Sequence, residues 1–153
     1  MNRTLASMSP ARAFLVSLTL AAVAASSSIG GSGAMAAPAA LKLTGSQEVP
    51  PVDTAAAGES SIKIAADGSV SGAVTTTGIA GTMAHIHLAA PGVNGPVIVP
   101  LTKTADNTWS VPAGAKLTSE QMAAYQAGNL YVNVHSDAHK GGEIRAQLSP
   151  HAP

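Results

Sequence analysis

The punctuation of this chain constrains its fold more than any other feature. Fifteen glycines and ten prolines are spread through 153 residues. Each costs a helix interior roughly 1 kcal/mol for glycine and 3 kcal/mol for proline. Between them lie short runs in which apolar and polar residues alternate. A period of two puts every second side chain on one face of a strand. Leu41–Thr44, Ser60–Ile64, Ser69–Thr77, Met83–Leu88, Val97–Val99, Thr108–Val111, Leu130–His135 and Glu143–Leu148 read as strands. Many short strands divided by turn residues predict an all-β fold, an antiparallel Greek-key-like β-sandwich with one short helix.

The connections follow from local chemistry. Glu48-Val49-Pro50-Pro51-Val52 contains two prolines and cannot lie inside a sheet, because each proline lacks a backbone donor. It reads as an extended crossing. Asp67-Gly68 predicts a type I′ hairpin turn, with Ile62 and Ile64 inward before it and Val70 and Val74 after it. Ala90–Pro96 is a loop of turn residues. The one helix starts at Thr118, with Gln121 completing a capping box and Leu117 stapling to Met122. Gly128 ends it. Lys140-Gly141-Gly142 makes the last turn.

The first 36 residues read as a signal peptide. Arg3 and Arg12 precede the uncharged apolar run Ala13–Ala25, and Ala34-Met35-Ala36 supplies the small-x-small cleavage pattern. Residues 37–153 form the single expected domain. With no twin arginine, general secretion into a periplasm or the medium is expected, and no later stretch reads as a membrane span. Without Arg3 and Arg12, six basic residues face eight acidic ones, a poor balance for binding nucleic acid. There is no cysteine. Thiolate metal sites, iron–sulfur clusters and cysteine nucleophiles are excluded, and about 115 residues must bury a core without disulfides.

Chemistry concentrates in Met83-Ala84-His85-Ile86-His87-Leu88. His85 and His87 share a strand face, with Cα atoms roughly 6.5 Å apart, a workable span for two nitrogens on one metal ion. His135 ends the alternating strand in which Leu130, Val132 and Val134 point inward and Tyr131, Asn133 and His135 outward. His139 follows in the next loop, and His151 lies in the tail. If the two strands approach on one face, His85, His87 and His135 converge, with His139 as a further candidate ligand. Neutral imidazoles without thiolate or carboxylate suit copper, which leads the divalent series for nitrogen ligands; zinc with three histidines and a water is the alternative. Met83 shares the histidine face and offers a soft sulfur. Arg145 is the candidate catalytic residue, a positive charge to steer a small anion such as superoxide; the alternative is an ion pair with Glu143 or Asp137.

Five ordered motifs add a resemblance. They are Gly45-Ser46-Gln47-Glu48-Val49-Pro50-Pro51-Val52, Ala84-His85-Ile86-His87, Pro91-Gly92-Val93-Asn94-Gly95-Pro96-Val97, the Gly128–Ser136 stretch, and Gly141–Leu148. Together they resemble the CHRD (chordin-type) domain over about Leu41 to Leu148. That family occurs as repeats in animal chordins and as single exported domains in bacteria, and this chain is similar to the bacterial kind. A more distant similarity is to the copper–zinc superoxide dismutase sandwich, in which a His-x-His strand meets a later histidine to hold copper. This chain lacks that family's disulfide and zinc loop, so the likeness implies a copper-only type. Three functions remain open: a redox enzyme of dismutase type, a periplasmic copper carrier or buffer, and an interaction domain with structural histidines.

Overall fold

The computed structural model describes residues 40–150; the expected signal peptide and His151 lie outside the described residues. The elements are β1 (Leu41–Thr44), a 3-10 turn at Gly45–Gln47, β2 (Ala57–Ser60), β3 (Lys63–Ile64), β4 (Val70–Ser71), β5 (Ala73–Thr77) and β6 (Gly81–Leu88). There follow β7 (Val97–Pro100), β8 (Thr102–Ala105), β9 (Thr108–Ser110), α1 (Ser119–Gln126), β10 (Leu130–Ser136) and β11 (Ile144–Leu148). Nine strands form one sheet in the order β7-β6-β10-β11-β1-β2-β5-β9-β8, and every pairing is antiparallel. The all-β expectation with one short helix holds.

The ends of that sheet are covalent neighbours. β7 pairs with β6 and β8 pairs with β9, yet only Leu101 separates β7 from β8. One segment therefore serves both edges, and the sheet curls into a near-barrel. Leu101 holds the junction, its N–H donating to the Ala84 carbonyl at 2.9 Å and its side chain buried. Closure of this kind removes the open edges at which sheets aggregate. Inside lie Leu43, Val74, Ile86, Trp109, Val132 and Ile144.

Several local expectations are corrected. The Ser60–Ile64 run is split into β2 and β3, with Ile62 and Ile64 only half-buried at the core's margin. The return strand breaks at Gly72, whose φ of 106° lies where other residues are strained. Asp67 and Gly68 do turn a hairpin, but the loop is Ala66–Gly68 closed by Ala65 and Ser69, and Gly68 takes positive φ. β8 alternates no apolar residues and is wholly exposed, so no periodicity marked it.

The larger correction concerns the face assigned to solvent. Tyr131, Asn133 and His135 do point away from the apolar core, opposite Val132 and Val134. All seven residues of β10 are nevertheless buried. The 45–52 segment and the 89–95 loop fold over this second face and enclose a polar layer that includes Glu48, Asn133 and Arg145.

The helix follows its signals closely. Thr118 Oγ1 accepts from the Gln121 N–H, and Gln121 Oε1 accepts from the Thr118 N–H. At the other end Gly128 N–H donates to Tyr125 and Asn129 N–H to Ala124, the two bonds of a Schellman motif. Thr118→Ala is expected to lower stability by about 1 kcal/mol, read as a lower urea midpoint with unchanged slope. A midpoint that does not move would show the cap to be dispensable.

Candidate metal centre

β6 and β10 set the centre by their register. Asn133 lies opposite His85, Tyr131 opposite His87 and His135 opposite Met83. Direct partners in an antiparallel pair point to the same face. His85, His87 and His135 thus meet on the polar side of the sheet, and one ring nitrogen from each lies within 4.8 Å of the other two. The ring centroids are 5.5 Å apart for His85 and His87, and 5.0 Å for His85 and His135. His87 and His135 are buried; His85 is partly open to solvent.

Two backbone carbonyls select the tautomers. His87 Nδ1 lies 2.9 Å from the Gly95 carbonyl, and His135 Nδ1 lies 2.9 Å from the Lys140 carbonyl. A carbonyl can only accept, so both Nδ1 atoms carry protons. In the neutral rings both Nε2 atoms then present lone pairs. His87 Nε2 is buried with no hydrogen-bond partner. His135 Nε2 faces His85 Nδ1 at 3.1 Å. Either His85 donates a proton there, or one ion takes both lone pairs. An outward bond that fixes the tautomer of an inward-facing imidazole is the usual support of a metal ligand.

The supports are built by the two loops. Gly95 donates its N–H to the Tyr131 hydroxyl while its carbonyl holds His87. A Cβ at Gly95 would stand 1.9 Å from the Leu88 carbonyl oxygen, so no side chain fits. The Tyr131 ring stacks on His87 at 4.6 Å, nearly parallel. The Lys140 carbonyl is held by the loop joining β10 to β11. Both Ser136 and Thr54 donate hydroxyl protons to the Glu143 carboxylate at the end of that loop, and Gly142 N–H donates to the His139 carbonyl.

The remaining candidates sit elsewhere. His139 does not join the cluster and serves the loop through its backbone, its N–H donating to Ser136 Oγ. Met83 shares the face and is 48% exposed. Arg145 is 1% exposed, its guanidinium 3.5 Å from the centre of the Tyr131 ring. It forms no ion pair with Glu143 or Asp137; among the described residues the ion pair within 4 Å is Lys116–Asp67. Its N–H groups reach Asn94 Oδ1, the Ala90 carbonyl and Gln147 Oε1. Sequence reasoning missed Gly95, Tyr131 and Glu143 as supports. The Asn94-Gly95-Pro96 turn was a signal for the first; nothing local marked the other two.

The match to a known family spans this whole architecture. A family model described as the CHRD domain matches residues 39–148. The chain belongs to the CHRD domain family. Neither the curated proteins nor the solved structures gave a match.

Electrostatics in this CHRD domain disfavour protonation of the cluster. Burial, then the neighbouring His135 and His87, pull the His85 pKa down to about 4. Burial also lowers His87 and His135, against the opposing pull of their carbonyl partners. Between about pH 4 and 6.5 the unfolded chain takes up a proton that folded His85 refuses. The resulting stability is complete above the unfolded pKa and is lost as pH falls toward the folded one. Buried Glu48 acts in the opposite sense, because desolvation raises its pKa and so favours the folded state in acid. In metal-free protein, urea midpoints should fall from pH 6.5 to 4, and His85→Gln should flatten that fall. A slope untouched by the substitution would assign the acid loss to other groups.

Proposed function

We propose that this CHRD domain is an exported copper-binding protein that holds one copper ion on His85 Nδ1, His87 Nε2 and His135 Nε2. The observation that carries the reading is the convergence of one ring nitrogen from each of three histidines, on one of which, His87, Nε2 is buried with no partner. An orphaned buried acceptor costs about 1–3 kcal/mol, and a metal ion satisfies it. The donor set fits, since three neutral imidazoles without thiolate suit copper or zinc and copper leads the series. Bound copper supplies a Lewis acid and a one-electron couple. The chain's own part is to hold the rings: Gly95 and Lys140 fix two tautomers, Tyr131 packs flat on His87, and burial keeps protons off. Export rests on the charged-then-apolar beginning of the chain.

A superoxide-dismutase-like activity is the second reading, favoured by the solvent-open side of His85. Arg145 enters it only through the charge it places against Tyr131, because the side chain itself is enclosed. Titration with Cu(II), followed by paramagnetic resonance, is expected to saturate at one ion per chain with nitrogen hyperfine structure, and to resist competition by zinc. Uptake equal to that of a variant lacking all three histidines would overturn the copper reading. If copper-loaded protein speeds superoxide decay no more than free-copper controls, the function is carriage and buffering.

A further inference from the structure

Met83 stands out among the residues around the cluster. It lies inside β6, the longest strand, yet 48% of its surface is exposed. Neighbouring Ala84 and Ile86 are buried in the core, so its exposure is not fraying of the strand. It shares a face with His85 two residues on, and its partner across the ladder is His135. A methionine is therefore placed beside two of the three converging histidines, on their face and outside the apolar core. Its side chain has three rotatable bonds and a polarisable sulfur.

We propose that the Met83 thioether is a fourth, soft ligand that gives the histidine site its hold on Cu(I); the inference rests on the copper reading above. The argument is one of ligand softness. Imidazole accepts either oxidation state of copper, whereas thioether sulfur selects Cu(I) and adds little to Cu(II). The chain contains no cysteine, so methionine is its only source of a soft donor. Met122, the other methionine among the described residues, sits on α1 and packs against the apolar core. A half-exposed side chain outside the apolar core can swing onto the ion without disturbing the fold. The site thereby keeps copper through a change of oxidation state, as a carrier needs and a zinc site does not.

The test separates the two oxidation states. Met83→Leu keeps the apolar bulk and removes the sulfur, and its circular dichroism should match the wild type. Cu(I) affinity is measured without oxygen against a bicinchoninate competitor, and Cu(II) affinity against glycine. Met83→Leu should weaken Cu(I) binding about tenfold or more and change Cu(II) binding by less than about threefold. A selective tenfold loss lowers the reduction potential by about 59 mV, an independent readout. X-ray absorption of the Cu(I) form should show a sulfur neighbour that Met83→Leu abolishes. Wild type that binds Cu(I) with the same affinity as the variant, and without sulfur, overturns the role of Met83 while leaving the histidine site intact. Equal loss of both oxidation states overturns it too, since that is a packing effect. Wild type that binds neither ion overturns the copper reading and this inference together.

Discussion

His135→Ala and His87→Ala are each expected to reduce copper affinity by about 100-fold or more, while His139→Ala should leave it within about threefold. The magnitude follows from ligand count. Removing a mere orienting partner costs about 10–100-fold, and these substitutions remove a donor from the proposed set of three. The contrast with His139 follows from geometry, because among the described residues it is His85, His87 and His135 that bring nitrogens within 4.8 Å of one another. The two buried histidines differ in what they leave behind. His87→Ala strips the stacking partner from Tyr131 and the donor from the Gly95 carbonyl. His135→Ala frees the Lys140 carbonyl and leaves His85 Nδ1 without its neighbour. Isothermal titration of each variant against Cu(II) checks the ranking. An effect of His139→Ala as large as that of His135→Ala would return His139 to the ligand set.

Gly95→Ala has the largest expected effect of any change outside the histidines. The added carbon meets backbone, not a movable side chain: Leu88 O at 1.9 Å and Leu88 C at 2.7 Å. The loop must retreat from β6. It then breaks the bond from His87 Nδ1 and lengthens the one from the Gly95 N–H to the Tyr131 hydroxyl. Overpacking of this kind costs about 1–3 kcal/mol, and each hydrogen bond lost adds about 1 kcal/mol. Stability should fall by about 3 kcal/mol and the melting temperature by 10 °C or more. Copper affinity should fall as well, because His87 loses the contact that fixes its tautomer. A variant that melts like the wild type would show that the loop can shift freely and that Gly95 is not the seat of the His87 lock. Gly92→Ala serves as the comparison, since nothing lies within 4 Å of a carbon added there; its cost is confined to the strain of a positive φ of 76°.

The sequence was most legible where a signal and its partner lie close together. The capping box of α1 pairs Thr118 with Gln121, three residues apart, and both of its bonds form. The histidine spacing works the same way, since strand alternation alone puts His85 and His87 on one face. The strand boundaries between 57 and 77 were harder to see. Alternation continues through Ser61 and Gly72, but the chain bends there because Ser61 Oγ and the Gly72 backbone take up other partners. β8 left no trace at all, because an exposed strand carries no apolar period.

The sequence by itself determined the all-β class, the helix and its caps, and the pair of histidines on one strand. Those depend on periodicity and on contacts a few residues apart. Tertiary structure alone decided three further things. It closed the sheet through Leu101, so that one segment edges both ends. It buried the face that alternation assigned to solvent, because alternation reports which side a residue takes and not what later folds over it. That cover turned Arg145 from an exposed charge into an enclosed cation against Tyr131. It also chose three histidines from four candidates and oriented the lone pairs of two of them, His87 and His135, through carbonyls of Gly95 and Lys140. A carbonyl belongs to every residue alike, so no reading of side chains could have named the two that hold this site.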